Sequence, residues 1–276
     1  TEGPTLPRNC IVILLDALDA GHVSHLGYPR ETSPTIDALA RQGVSFANAY
    51  AQCPNTLGST VSFMTGRYLP QPHTEGAEYT LGADQTTLAE LFQRSGFATA
   101  GYSENPYVHP SGGFDRGFSE FQVRSALQPR QEDKKFRPRD ESAGPALLTM
   151  AAQWIAAQDT SPWFCYVHLL RPHDPYISPA PYWSQFRPGD AGATPDPDRD
   201  LEIMWKRRWR NVEPTPDELQ YVIDVYDGSI QYVDTLVSQF LGQLQSIGKL
   251  DDTLIVIMSD HGEALMQHGV FKHNTT

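Results

Sequence analysis

Cys10-Ile11-Val12-Ile13-Leu14-Leu15-Asp16 is an unbroken apolar run that stops at a carboxylate. It has no polar face, so it reads as a strand covered on both sides, as in a parallel sheet packed between helices. An acid at the carboxyl end of such a strand points into the crevice where open α/β sheets bind ligands. Two further runs repeat the pattern. Trp163 to Leu170 empties into Arg171-Pro172-His173-Asp174-Pro175-Tyr176, and Thr253 to Met258 into Ser259-Asp260-His261-Gly262-Glu263. Parallel strands end on one edge of their sheet, so Asp16 and Asp260-His261 are expected to converge.

The segments between these runs carry helical signals. Ser33 is a candidate N-cap with Pro34 at the first helical position, and that helix closes near Gly43. Helices are also predicted over Thr86 to Ser95, over Gly144 to Ala157 and over Pro216 to Ile247, the last with Gly228 as a candidate break. Val44 to Ala51 and Phe97 to Tyr102 read as strands. Gln128 to Glu141 reads as an exposed loop, and Pro179 to Asp200, rich in Pro, Asp and Gly, as a surface insertion or lid. No internal repeat is visible. Alternating strands and helices place the chain in the α/β class with a mostly parallel sheet.

With 276 residues, 39% of them hydrophobic, the chain can bury one large core. Its 33 acidic and 21 basic residues leave a formal charge of −12, which argues against nucleic acid as a partner. Cys10, Cys53 and Cys165 form neither a disulfide framework nor a metal-binding pair, and Cys10 and Cys165 sit in apolar runs that predict burial. No stretch approaches the roughly 20 apolar residues of a membrane span. No leader peptide is evident, although the sequence opens at Thr1 and a trimmed leader stays open; the compartment does too.

Asn55-Thr56-Leu57-Gly58-Ser59-Thr60-Val61-Ser62-Phe63-Met64-Thr65-Gly66-Arg67 places hydroxyls before a short helical run expected to begin near Ser59. A hydroxyl at the mouth of a helix lies where the backbone favours an anion, a natural seat for a nucleophile attacking a phosphate or sulfate ester. Carboxylates suit hard divalent metals, and imidazole suits Zn or Mn. A metal held by Asp16, Asp260 and His261 could also bind the Thr56 hydroxyl, lowering its pKa and aiming it.

Along nearly its whole length the sequence resembles the sulfatase family of the alkaline-phosphatase superfamily. The resemblance rests on CIVILLDALDAGHVSHLGY, ETSPTIDALARQGVSFANAYAQ, TLGSTVSFMTGR, SENPY, GFDRGF, VHLLRPHDPY, YDGSIQYVDTLV and, most specifically, LIVIMSDHGEALMQHGVF. It implies a metal-dependent hydrolase or transferase of sulfate or phosphate esters. The expected cofactor is Mn, Zn, Ca or Mg, and the expected substrate a small-molecule, glycan-linked or lipid-linked ester. It also implies that residues 1–276 are one catalytic domain, the N-terminal portion of a family fold that continues with more sheet and a C-terminal subdomain.

Residue by residue, the resemblance makes Asp16, Asp260 and His261 metal ligands, with Thr56 at the nucleophile position and also on the metal. His173 and His273 become catalytic groups near the ester oxygen, and Lys272 and Asn105 substrate contacts. Glu263 and His268 match family positions without a defined role; His22, His25 and His73 read as ordinary loop residues. Two departures stand out. The family often has a second Asp where this chain has Ala17. True sulfatases carry Cys-x-Pro-x-Arg or its Ser counterpart, processed to formylglycine, where this chain has Thr56-Leu57-Gly58-Ser59-Thr60. Cys53 lies three residues early and lacks the downstream Arg. A threonine ester cannot collapse to an aldehyde, so water must attack it, which shifts the expectation towards phosphate esters. A non-catalytic binding protein and an ordinary sulfuric ester hydrolase remain the alternatives.

Overall fold

The fold is seen in a computed structural model that describes residues 7–68, 80–125, 141–159, 161–196 and 198–273. In chain order its main elements are β1 (Asn9–Leu15), α1 (Pro34–Gln42), α2 (Thr56–Thr65), α3 (Leu88–Arg94), β2 (Ala98–Ser103) and β3 (Glu120–Val123). Then come α4 (Ala143–Ala156), β4 (Trp163–Leu169), α5 (Arg199–Arg210), α6 (Pro216–Ser246) and β5 (Thr253–Met258), with β6 (Ala264–Leu265) and β7 (Phe271–Lys272) at the end. Five strands form one sheet in the order β3-β2-β4-β1-β5, and every pairing is parallel.

β1 is buried over its full length, as its unbroken apolar sequence requires. Its alternate residues feed two cores. Ile11, Ile13 and Leu15 pack with Val167, Leu147, Val233 and Phe240 towards α4 and α6. Val12 and Leu14 pack with Phe164, Tyr166, Val61 and Met64 towards α2 and α3. The result is helix, sheet, helix, with the strand ends left for chemistry.

Several sequence expectations need correction. Val44 to Ala51 forms no strand; Val44, Phe46 and Tyr50 are largely exposed. Their alternation is real, but no described strand pairs with them, and an unpaired strand has no ladder to hold it. α6 runs unbroken through Gly228, which serves instead as a point of close approach: a Cβ there would lie 2.2 Å from the Tyr182 carbonyl oxygen. The Pro179 to Asp200 segment contains short 3-10 turns and gives way at Arg199 to a helix, α5, that the sequence reading missed. Thr56 is the first residue of α2, not a residue ahead of it; Asn55 is the cap, its Oδ1 accepting from the Gly58 amide at 2.9 Å. Gly66, at φ 65°, closes the helix in the left-handed region. Residues 128–140 of the loop expectation, and His73, lie outside the described residues.

Candidate active site

The register of the central strands brings the site together. Leu14 of β1 pairs with His168 of β4 and with Met258 of β5, and Ser103 of β2 also pairs with His168. Asp16, Asn105 and Asp260 each follow two residues later, so all emerge at the same edge. The loops there are stitched to one another: Ala17 N donates to Asp260 Oδ1 at 3.1 Å and Leu18 N to Ser259 Oγ at 2.9 Å. Tyr226 of α6 braces the same turn, accepting from Asp19 N and donating to the Ala17 carbonyl.

Asp16, Asp260 and His261 are buried, and a donor atom from each lies within 4.8 Å of the others. Thr56 Oγ1 stands 3.5 Å from both Asp16 carboxylate oxygens and 3.3 Å from His261 Nε2. Asn105 Nδ2 donates to Asp16 Oδ2 at 2.6 Å and lies 3.4 Å from Thr56 Oγ1. Burial alone would raise the Asp16 pKa, but the His168 hydrogen bond and the charges of nearby imidazoles hold it well below the usual carboxylate range. Asp260 Oδ2 is buried without a hydrogen-bond partner among the described residues. Two buried carboxylates at close quarters, one with an orphaned oxygen, beside an imidazole and a hydroxyl, make a donor set that fits a divalent cation.

A second group lines the mouth. The His273 ring lies 4.3 Å from that of His261 and 4.9 Å from that of His173. The His173 amide is anchored on the Asp16 carbonyl at 3.0 Å. Lys272 Nζ sits 3.1 Å from Asp174 Oδ2. His173, Asp174 and His273 also have metal-ligand spacing, but the Lys272 ammonium already neutralises Asp174. Desolvation pulls the His273 pKa down, yet the Glu263 carboxylate 3.1 Å away outweighs it and raises it to about 9. The sequence left Glu263 without a role; here it keeps His273 cationic.

All the expected site residues therefore meet at one edge of the sheet. His168 was missed. It is fully buried in β4, with Nε2 3.0 Å from Asp16 Oδ2 and Nδ1 3.0 Å from the Tyr166 hydroxyl. The signal was a lone imidazole in an apolar strand, Trp163 to Leu170. His22, expected to be an ordinary loop residue, is buried against Asp227 of α6 at 2.7 Å, and His25 lies 2.8 Å from Ser45 Oγ. All three cysteines are buried, as expected for Cys10 and Cys165.

The family model named Sulfatase matches residues 8–276. The chain belongs to the sulfatase family. Among curated members it is 26% identical over 308 residues to the choline-sulfatase of Rhizobium meliloti, an alignment covering 96% of this chain and 60% of that protein. This sulfatase-family chain thus spans about three-fifths of that relative's length. Among solved structures, the phosphonate monoester hydrolase of Agrobacterium radiobacter superposes with a TM-score of 0.69 at 21% identity, covering 98% of this chain and 65% of that one. The C-terminal periplasmic domain of EcEptC from Escherichia coli, solved in complex with Zn, gives a TM-score of 0.68 at 19% identity, with 98% and 69% covered. At these identities the two structures speak for the sulfatase fold alone.

Proposed function

We propose that this chain is the catalytic domain, the N-terminal part of the family fold, of a metal-dependent hydrolase of sulfate or phosphate esters with Thr56 as its nucleophile. The observation that carries this reading is the position of Thr56 Oγ1, within 3.5 Å of Asp16 and His261 and at the first turn of α2. Family membership and the likeness in fold to a phosphonate monoester hydrolase support it.

Asp16, Asp260 and His261 would hold the cation, Mn, Zn, Ca or Mg, with Thr56 beside it. When bound, such an ion lowers the pKa of a neighbouring hydroxyl and polarises the ester oxygens. The positive end of α2 favours the anionic group at the same spot. Thr56 Oγ1, having released its proton to solvent, forms the new bond to phosphorus or sulfur as the bond to the alcohol oxygen breaks. Asn105, donating to Asp16 and close to Thr56, holds the hydroxyl in register with the carboxylate. His273, kept protonated by Glu263, gives its proton to the departing oxygen, and His173 beside it offers a second polar contact. Lys272, paired with Asp174 beside His273, would offer N–H donors to the ester oxygens. Water then attacks the threonine ester, because threonine has no aldehyde route of release. That limit favours phosphate over sulfate.

A panel of aryl sulfate, phosphate monoester, phosphodiester and phosphonate, each with added Mn, Zn, Mg or Ca, tests the reading. Turnover of at least one ester is expected, with Thr56→Ala losing about a thousandfold or more, as when an activated nucleophile is removed. Retained metal binding in that variant would separate lost chemistry from lost structure. Unchanged turnover in Thr56→Ala would sink the assignment, and absence of any bound metal would favour a non-catalytic binding protein.

A further inference from the structure

α5 reads Arg199-Asp-Leu-Glu-Ile-Met-Trp-Lys-Arg-Arg-Trp-Arg210 and carries five of the chain's 21 Lys and Arg in 12 residues. In a chain of net charge −12 this is a local reversal of sign. One face of the helix is committed to packing: Leu201, Ile203 and Met204 join a core cluster with Leu265, Phe271 and Tyr176. Phe271 belongs to β7, which also carries Lys272, with His273 next. Arg207 reaches from α5 to the Gly269 carbonyl at 2.8 Å, fixing the helix to the loop that leads into those site residues.

The other face is exposed. Lys206, Trp209 and Arg210, spaced i, i+3 and i+4, share one side of the helix. Trp209 is 73% exposed, and the Arg208 guanidinium lies 5.4 Å from its ring centroid. A helix dipole rationalises cations in the last turn. It does not rationalise a large indole left in water beside them. An aromatic plane with flanking guanidinium and ammonium groups suits a sugar ring that carries anionic substituents: the ring stacks on the indole, and the anions meet the Arg forks and the Lys.

We propose that the exposed face of α5, formed by Lys206, Trp209 and Arg210 with Arg208 over the indole, is a secondary binding surface for a sugar chain bearing anionic ester groups, phosphate or sulfate, for which dextran sulfate serves as the probe. The ester-hydrolase reading supplies the reason for such a chain to dock, but binding at α5 does not require turnover, so the two fail separately.

The test is binding of fluorescently labelled dextran sulfate to the 276-residue protein, read by anisotropy at several salt concentrations. Neutral dextran and anionic phosphatidylserine vesicles are run in parallel. The wild type is expected to bind dextran sulfate with salt-sensitive affinity and neither alternative strongly. Lys206→Ala/Trp209→Ala/Arg210→Ala should weaken binding about tenfold or more, the scale of one or two lost contacts to charged groups. Hydrolysis of a small aryl ester by this variant should stay at the wild-type level. Arg41→Ala/Arg94→Ala removes two exposed charges elsewhere and should change little. Should the triple variant fail to fold by circular dichroism, Trp209→Ala and Arg210→Ala are measured singly, and each should still weaken binding. Unchanged dextran sulfate binding in a folded α5 variant overturns the proposal, as does an equal loss in the Arg41/Arg94 control. Loss of vesicle binding alone would assign the surface to lipid instead. Absence of aryl ester turnover with α5-dependent binding intact would count against the hydrolase reading only.

Discussion

The two oxygens of Asp16 are used differently. Oδ2 receives Asn105 Nδ2 at 2.6 Å and His168 Nε2 at 3.0 Å, while Oδ1 faces His261 at 3.5 Å, and Thr56 Oγ1 lies 3.5 Å from both oxygens. His168 Nε2 faces the Asp16 carboxylate, and its Nδ1 lies 3.0 Å from the Tyr166 hydroxyl, which burial keeps protonated, so the ring is held at both nitrogens. His168 thus turns Oδ1 towards the cation seat. Outer partners of metal ligands are commonly worth about 10–100-fold in metal affinity. His168→Ala should weaken Mn or Zn binding by that order in a competition titration; unchanged affinity would remove His168 from the account. The His273–Glu263 pair makes a second prediction. With its pKa raised above that of a free imidazole, His273 contributes stability in full below about 6.5, lost as pH rises through about 9. As proton donor it should give the rate an alkaline limb near pH 9, and Glu263→Gln should move that limb down in a pH–kcat profile. Asp16, Asp260, His261 and Thr56 were legible in the sequence because each follows a strong local signal, a strand end or a helix start. His168 and Glu263 were not, because their roles are contacts with residues distant in the chain, and only the register of β4 and the turn of the hairpin create them.

At the scale of elements, propensity and packing disagree most clearly at Gly228. Replacing a mid-helix glycine by alanine usually stabilises by about 0.8–1.0 kcal/mol. In α6 the new methyl would meet the Tyr182 carbonyl oxygen at 2.2 Å, a backbone atom that cannot swing aside as a side chain would. Gly228→Ala should therefore lower Tm, by several degrees if the loop must shift at a cost of 1–3 kcal/mol, roughly the scale of overpacking; a raised Tm would contradict the close approach. The same competition explains which elements the sequence revealed. β5 matches its predicted bounds, and β1 and β4 nearly so, because continuous burial leaves an unmistakable apolar run. The Val44 to Ala51 alternation suggested a strand that does not form, because pairing, which a single segment cannot encode, decides the outcome. α5 was hidden by its charge: its buried stripe is only Leu201, Ile203 and Met204, set among arginines and behind a Pro-rich stretch.

At the scale of the whole molecule, the strand ends converge. The ends of β1, β2, β4 and β5 deliver Asp16, Asn105, His168 and Asp260 to one edge of a parallel sheet, and α2 begins opposite them with Thr56. The class and this edge could be read from three apolar runs. The strand order β3-β2-β4-β1-β5, which puts β4 beside β1 and so His168 against Asp16, could not, since nothing local specifies which parallel strands become neighbours. The most direct measurement is peptide mapping by mass spectrometry of metal-loaded protein quenched in acid during turnover of an activated aryl ester. The account predicts one phosphoryl or sulfuryl group on the peptide containing Thr56, absent from Thr56→Ala. Turnover with that peptide unmodified, or with the group on another residue, would contradict it.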